Sequence, residues 1–538
     1  MSYALLRKGG AEYKQRAIRY LVVSYSRKEV SIIMKKLLLI SLIVVFSVSL
    51  FAFDSFAQMK PKYGGVLRVV TAAGPRSFYT PEGGPTDLSA SFPGTEATQQ
   101  YVGRVLEPEL CESVVLDPDA LTMTFKVKKG IKFHDGSEMN ADVLIWNINF
   151  RKGKGRLQDA HRLKSIEKID DYTVVLHLTE YTNMLMPNLG WAFMSSKLQY
   201  TSHDVDYLRS HFIGTGPFKM VEWKRDAYMK WERNENYWRK GRPYLDGVEF
   251  RYVPDPVTAA AMLQAGEVDM WQNVTPKFQA ELEKKGFLRN SGYGALPTMI
   301  YFNTTDPKKP TGNAKVRQAI EYAINKEAIS KALGFGFFTP LKMTAPEGEW
   351  GYDPDYKGRP YNPEMARKLL AEAGYPKGLK IELLAFMTIG GGAAAAEAIK
   401  AYLADVGIDC KADLADPGRY WGSVFGSGWK DMVLCFTGLD PNYLDTIMRW
   451  FSHEPATNLA SFKRSPEFTA LCKEALVARD DATKKLMAKK IVRQLADECS
   501  VLPLWNSPAA DMIAPYVHTT YREDGFINWR IYDDWLDK

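Results

Sequence analysis

The sequence predicts an α/β protein of two or three domains, with an α+β portion in its first half. Three observations predict it. From about residue 255 the chain alternates strand, helix, strand. Between residues 121 and 178 it reads as alternating strands and a hairpin around one helix. The part that remains after a removable leader, 538 − 57 = 481 residues, is too long for a single core.

The leader comes first in the chain. Lys35 and Lys36 precede an apolar run from Leu37 to Phe53, and Ser55 and Ala57 then stand at positions −3 and −1 of a secretory signal, so cleavage is expected after Ala57. The run of 17 residues is close to the lower limit for a spanning helix, which leaves an uncleaved anchor as the alternative. A complete signal already begins at Met34, the expected start, so residues 1–33 read as an over-extended frame. No Cys stands at the cleavage region, so the pattern of a lipid-anchored protein is missing.

The leader also carries most of the charge. Residues 1–57 hold nine Lys/Arg and three Asp/Glu, leaving 70 − 9 = 61 basic and 63 − 3 = 60 acidic residues, a net of +1. A nearly neutral mature chain gives no case for nucleic acid or an anionic membrane surface as partner.

Gly64 and Gly65 lead into a short β-branched strand, Val66 to Thr71, followed by a loop rich in Gly, Pro and Ser, 73–94, with Phe78 and Tyr79 in its midst. Leu121, Met123, Phe125 and Val127 then alternate with Thr122, Thr124, Lys126 and Lys128, the pattern of a half-buried strand. Lys129 and Gly130 turn the chain, Ile131 and Phe133 continue it, and Asn140 caps a helix with Val143, Trp146 and Phe150 on one stripe. Ile166 and Ile169 lead to a turn at Asp170 and Asp171, with Val174, Val175, Leu176 and Leu178 beyond it.

In the second half, Asp255 and Pro256 open a helix that ends at Gly266, before a strand from Val268 to Trp271. Asn362 and Pro363 open another, closed by Gly374, and Leu379 to Ala385 is a strand. A helix from Ala393 to Val406 ends at Gly407, with strands Ile408 to Leu414 and Met432 to Phe436 after it. Such alternation implies crossover units on a parallel sheet.

Little in the chain points to chemistry. His134 and Asp135 beside Gly136 invite a catalytic reading, but Asp-Gly is turn chemistry and no nucleophile accompanies it. The seven His residues show no metal-ligand spacing, and the glycine-rich Gly214 to Pro217 lacks the Lys-Ser/Thr of a phosphate loop. No catalytic residue, metal or cofactor is assigned. The five Cys residues (Cys111, Cys410, Cys435, Cys472, Cys499) contain no close pair, and Cys472 and Cys499 fall on successive helices with an offset of roughly 15 Å, so five buried thiols are expected.

Six motifs in order carry a resemblance. They are Phe125 to Val143 (FKVKKGIKFHDGSEMNADV), Gly214-Thr-Gly-Pro-Phe218, Asn234-Glu-Asn-Tyr-Trp238, Leu263-Gln-Ala-Gly-Glu-Val-Asp269, Val316-Arg-Gln-Ala-Ile320 and Tyr361-Asn-Pro-Glu364. Together they resemble the family 5 extracellular solute-binding proteins, the dipeptide, oligopeptide and nickel-binding group of ABC importers, over almost the whole mature chain.

The resemblance implies the two-lobed periplasmic binding protein type II fold with an extra α+β subdomain in lobe I, and it implies a binding protein that is not an enzyme. Lobe I would be residues 58–298 and 504–538, lobe II residues 299–503, and the hinge Pro297 to Asn303 with Val501 to Trp505. With the family's usual strand order, the strand 379–385 separates Cys410 from Cys435 by roughly 9.6 Å, beyond disulfide reach. The implied partners are a small-molecule or peptide ligand and an ABC permease in the inner membrane, for a monomer in the periplasm. A ligand-sensing partner of a membrane receptor and, less well supported, a secreted hydrolase are the alternatives.

In peptide-binding relatives an aromatic-Thr-Gly-Asp sequence ends one lobe II strand, and its carboxylate pairs with the peptide ammonium. Here Phe436-Thr437-Gly438 is followed by Leu439 and then Asp440-Pro441-Asn442-Tyr443, so the carboxylate has moved or gone, which argues against an ordinary free-amine peptide, although Asp440 or Asp445 could substitute. The ligand-binding residues expected at strand ends are Phe78 and Tyr79 from lobe I, and Trp421, Phe436, Thr437, Leu439, Asp440 and Tyr443 from lobe II, with Trp191 and Trp505 as further aromatic candidates.

Overall fold

Two mixed sheets organise the protein, and the chain crosses between them twice. The computed structural model describes residues 60–82, 89–292, 295–386, 392–438, 440, 442–452, 459–523 and 529–538. The expected signal segment and Leu439 lie outside the described residues. The first sheet has seven strands in the order Leu288–Asn290, Asp511–Ile513, Met270–Trp271, Val66–Thr71, Gly247–Tyr252, Tyr228–Arg233 and Phe218–Lys224. Val66–Thr71 is parallel to both its neighbours, as crossover connections require, and the outer pairs are antiparallel.

The second sheet runs Thr339–Pro340, Val501–Pro508, Ala295–Phe302, Met432–Phe436, Leu379–Phe386 and Ile408–Ala415. Its crossover part matches the strand, helix, strand reading: Leu379–Phe386 is parallel to both Ile408–Ala415 and Met432–Phe436, and helix Gly392–Ala404 connects the first pair. This strand lies between those carrying Cys410 and Cys435, and all five cysteines are free and buried.

Both segments expected to form the hinge are strands of this second sheet. They pair antiparallel to one another, with Thr298 opposite Trp505 and Tyr301 opposite Val501. The passages between the sheets therefore lie just outside them, between Asn290 and Ala295 and between Pro508 and Asp511.

Strands Cys111–Asp117, Thr122–Val127, Thr173–Leu178 and Leu163–Asp170 form a separate four-stranded antiparallel sheet, packed on helix Ala141–Gly153. This is the α+β portion. Met123, Phe125 and Val127 face its core, and the Asn140 side chain accepts from the Val143 N–H as the expected cap. Ile131 and Phe133 do not extend the strand. They are buried from a turn closed by a single bridge, Lys132 to Glu138, with Gly130 at φ +79°. The helix buries Ala141, Leu144, Asn147 and Ile148 along with Val143, whereas Trp146 and Phe150 are half-buried against Tyr200, 5.6 and 5.2 Å between ring centroids.

The motifs act as fasteners. His134 joins the first to the second: its Nε2 lies 3.0 Å from the Gly216 carbonyl and its Nδ1 accepts from the Gly214 N–H. Burial lowers this imidazole to about 4, so it is neutral and positions a loop. Asp135 accepts from the Ser137 N–H at 2.9 Å and from the Ser196 hydroxyl, which confirms a turn. A Cβ at Gly214 would stand 2.0 Å from the Gly94 carbonyl oxygen, so this crossing of two loops admits only glycine. Tyr237 and Trp238 both donate to buried Glu96, at 2.6 and 2.9 Å. Arg317 donates to the carbonyls of Thr311, Gly312, Glu498 and Cys499.

Candidate functional site

The described residues bring two walls towards each other. The wall on the side of the first sheet is the hairpin Gln99–Val102 and Val105–Pro108 with the segment 190–194 behind it. The Tyr101 ring meets Trp191 edge-on at 5.4 Å, and Trp191 meets Phe193 at 5.2 Å. The Thr98 hydroxyl donates to the Gly190 carbonyl and accepts from the Ala192 N–H, which fixes this segment to the hairpin.

The opposing wall begins where strand Met432–Phe436 ends. Phe436 packs edge-on to Trp421 at 5.8 Å, and Trp421 also stacks on Phe425 at 5.3 Å. Asn442 then caps helix Tyr443–Trp450, accepting from the Asp445 N–H at 2.9 Å and donating to the Asp445 carboxylate at 2.7 Å. Asp440, just before the cap, donates its N–H to the Thr446 hydroxyl at 2.8 Å.

The Asp440 carboxylate is held by Arg449 from the last turn of the same helix: Nε lies 3.1 and 3.2 Å from its two oxygens and Nη2 2.9 Å from one of them. A guanidinium so placed satisfies a carboxylate in geometry and charge, and Asp440 in turn raises the Arg449 pKa. Arg449 keeps 32% of its side chain exposed and Asp440 13%. Burial, and then the charge of Asp440, push the Asp445 carboxyl up to about 7. Tyr101, on the other wall, is raised first by its own burial and next by Asp445 and Asp440. The hairpin tyrosine therefore lies within electrostatic reach of the acid–arginine cluster.

The other predicted residues are spread between this site and the cores. Phe78 is buried edge-on between Phe212 and Trp223, at 5.6 and 5.1 Å, and Tyr79 stacks on Tyr200 at 5.9 Å; all these ring partners lie in the first half of the chain. Tyr443 is fully buried in the core beneath the second sheet and its hydroxyl donates to the Thr344 carbonyl. Trp505 is likewise buried, stacked on Phe338 at 5.7 Å. Thr437 is buried beside the crossing strand, with its N–H donating to the Pro297 carbonyl at 2.9 Å and its hydroxyl without a partner among the described residues.

Tyr101 and Arg449 were not read from the sequence. Tyr101 sits in a short polar hairpin without a motif. Arg449 stands seven residues beyond its cap, a spacing that gave no reason to aim it at Asp440. Among the described residues no group of three or more His, Cys, Asp or Glu is placed to hold a metal ion.

The model of the bacterial extracellular solute-binding proteins, family 5 Middle, matches residues 105–458. A glutathione-binding protein of Pectobacterium atrosepticum is 32% identical over 428 residues, 75% of this chain and 82% of the relative. Heme-binding protein A of Haemophilus influenzae is 32% identical over 475 residues, covering 78% and 83%. Among solved structures, the periplasmic binding protein DppA of Helicobacter pylori in complex with peptide STSA has a TM-score of 0.78 at 26% identity, covering 89% of this chain and 99% of that one. NikA of Brucella suis in complex with Fe(III)-EDTA has a TM-score of 0.76 at 21% identity, covering 88% and 100%, and shares the fold.

Proposed function

The chain belongs to the family 5 bacterial extracellular solute-binding proteins, the substrate-binding components of ABC importers, and on that premise we propose that its solute is captured between the Tyr101–Trp191 wall and the Phe436–Arg449 wall. Lobe I is then the part built on the seven-stranded sheet and the α+β subdomain, and lobe II the part built on the six-stranded sheet. The passages at 290–295 and 508–511 form the hinge. The protein works as a periplasmic monomer without catalysis, exported by the segment ending at Ala57, and presents its closed form to the permease. A ligand that touches both lobes drives closure by its differential affinity for the closed form.

Relatives named for glutathione, heme and a peptide differ too widely for ligand identity to follow from membership. One observation narrows the class. Asp440, the residue nearest to a carboxylate anchor, is occupied by Arg449, and Asp445 is held towards its neutral form. A ligand ammonium would have to displace a resident guanidinium, so the site favours a peptide-like or other small solute with an acidic or neutral head against an aromatic wall. Native mass spectrometry of the purified protein identifies the retained ligand, and small-angle scattering of stripped protein is repeated with that compound added. Compaction is expected. No compaction, or a ligand held through a free ammonium, overturns the reading.

A further inference from the structure

Between the lobes there is a second contact, outside the hinge passages and outside the two walls of the site. It is made by Tyr181 to Met184, which follow the α+β sheet, and by the end of helix Pro466–Leu476. Asn183 donates its backbone N–H to the Leu476 carbonyl at 2.8 Å, and its side-chain amide to the carbonyls of Ala475 at 2.7 Å and Ala478 at 3.2 Å. Ala475 and Leu476 are the last two residues of that helix and Ala478 follows it. The Ala475 carbonyl also accepts from the Ala478 N–H at 3.2 Å, and Asn183 adds donors from the other lobe.

Around this point Arg479 pairs with Asp119 at 2.7 Å and lies 5.5 Å from the Tyr181 ring centre. Met184 is buried and joins the apolar cluster beneath the lobe II sheet. Directly after it comes a turn of π-helix, Met186–Gly190, a form concentrated at functional sites, and then Trp191 of the ligand wall. The Gln99 side chain meets the Met186 sulfur at 3.2 Å, so the segment also touches the hairpin that carries Tyr101.

The contact is incompletely satisfied. The Asn183 Oδ1 and the Thr182 hydroxyl are buried without partners among the described residues. Opening the lobes here would expose both groups to water while giving up the Asn183 amide bonds.

We propose that Tyr181 to Met184 form a ligand-independent clasp, which docks on the end of helix Pro466–Leu476 and supplies part of the stability of the closed form. The inference rests on the capture reading. It adds that the closed state is populated before ligand arrives, and that the clasp scales affinity for every ligand by one factor without changing preference among them. Asn183→Asp removes both amide donors and sets a carboxylate against carbonyl oxygens at the negative end of a helix. It is expected to weaken binding of each ligand about tenfold, about 1.4 kcal/mol.

The decisive measurement needs no ligand. Hydrogen–deuterium exchange of the stripped wild-type protein is expected to show residues 181–185 protected. In Asn183→Asp that protection is lost and the radius of gyration rises, while strand Thr122–Val127 stays as protected as before, which shows that the lobe is folded. An unprotected segment in the stripped wild type overturns the proposal, as does a variant unchanged in exchange and size. Failure of capture reads differently: scattering of both proteins would then be indifferent to the compound recovered from the native protein.

Discussion

Two buried aspartates, one in each lobe, show how differently the lobes use the same residue. Asp269 ends the Leu263–Asp269 motif and is wholly buried beside the first strand. It accepts from the Arg68 backbone at 2.8 Å, from the Arg68 guanidinium at 3.0 and 2.8 Å, from the Tyr516 hydroxyl at 2.8 Å and from Lys538 at 2.9 Å. Burial alone would raise its pKa, but these donors outweigh it and hold the carboxylate below its usual range. Asp445 receives one side-chain donor, from Asn442, and faces Asp440, so burial wins and the carboxyl rises. Several donors surround the acid that ties Arg68 to Lys538, whereas Asp445 has one side-chain donor and a neighbouring acid.

The contrast can be broken most directly at Asp269. Asp269→Asn leaves Arg68 and Lys538 facing a neutral group, and denaturant unfolding is expected to show a loss of about 3–5 kcal/mol. A loss under about 1 kcal/mol would erase the distinction between the two sites. The next largest effect concerns pH. A carboxyl with a raised folded-state pKa leaves the folded protein holding more protons than the unfolded one between its unfolded value, about 3.9, and about 7. Its contribution to stability is therefore lost as pH climbs through that window. Asp534, also raised to about 7, and Glu109, raised to about 8, act in the same direction. Asp445→Asn should remove its share, flattening the profile and stabilising the protein at pH 8 by on the order of 2 kcal/mol; an unchanged slope would show Asp445 to be ordinary.

Arg449→Gln sharpens the comparison from the ligand side. It takes the guanidinium away from the Asp440 carboxylate, and affinity for the amine-bearing dipeptide amide Met-Leu-NH2, measured calorimetrically, is expected to rise by about tenfold or more. No gain would mean that Asp440 does not face the ligand. At the small end stands the Asp119–Arg479 pair, with 81% and 54% of its side chains exposed. Arg479→Ala should cost less than about 1 kcal/mol, and raising the salt concentration should abolish even that.

Much of the fold was legible in local patterns. Asn140, Asp255 and Asn362 cap the helices they were expected to cap, because capping needs only a short polar side chain two or three residues ahead of a free N–H. Strand Met432–Phe436 begins and ends as read, since its apolar run is bounded on both sides. Ile131 and Phe133 read as a continued strand because they are apolar, and burial alone does not separate a turn from a strand. The apolar strand character read for 297–303 and 501–505 appears in strands Ala295–Phe302 and Val501–Pro508.

The site was less legible. Trp421 packs on Phe436 and Asp440 is held by Arg449, whereas Phe78 is enclosed by Phe212 and Trp223 and Tyr443 by the core beneath the second sheet. An aromatic at a strand end looks the same in sequence whether its ring faces a cleft or a core. Arg449 and Asn183 carry no motif: Arg449 reaches back along its own helix to Asp440, and Asn183 acts on groups that the chain brings to it from elsewhere.

The sequence by itself determined the family, the α/β alternation and the caps, which depend on neighbours within a few residues. It also led to the expectation of five buried thiols, which the structure bears out. Only the tertiary structure decided that Arg449 claims Asp440, and that Asn183 completes a helix some 290 residues further along the chain. A charge pair or a shared proton has an energy set by distance and burial, and neither quantity exists until the chain has folded.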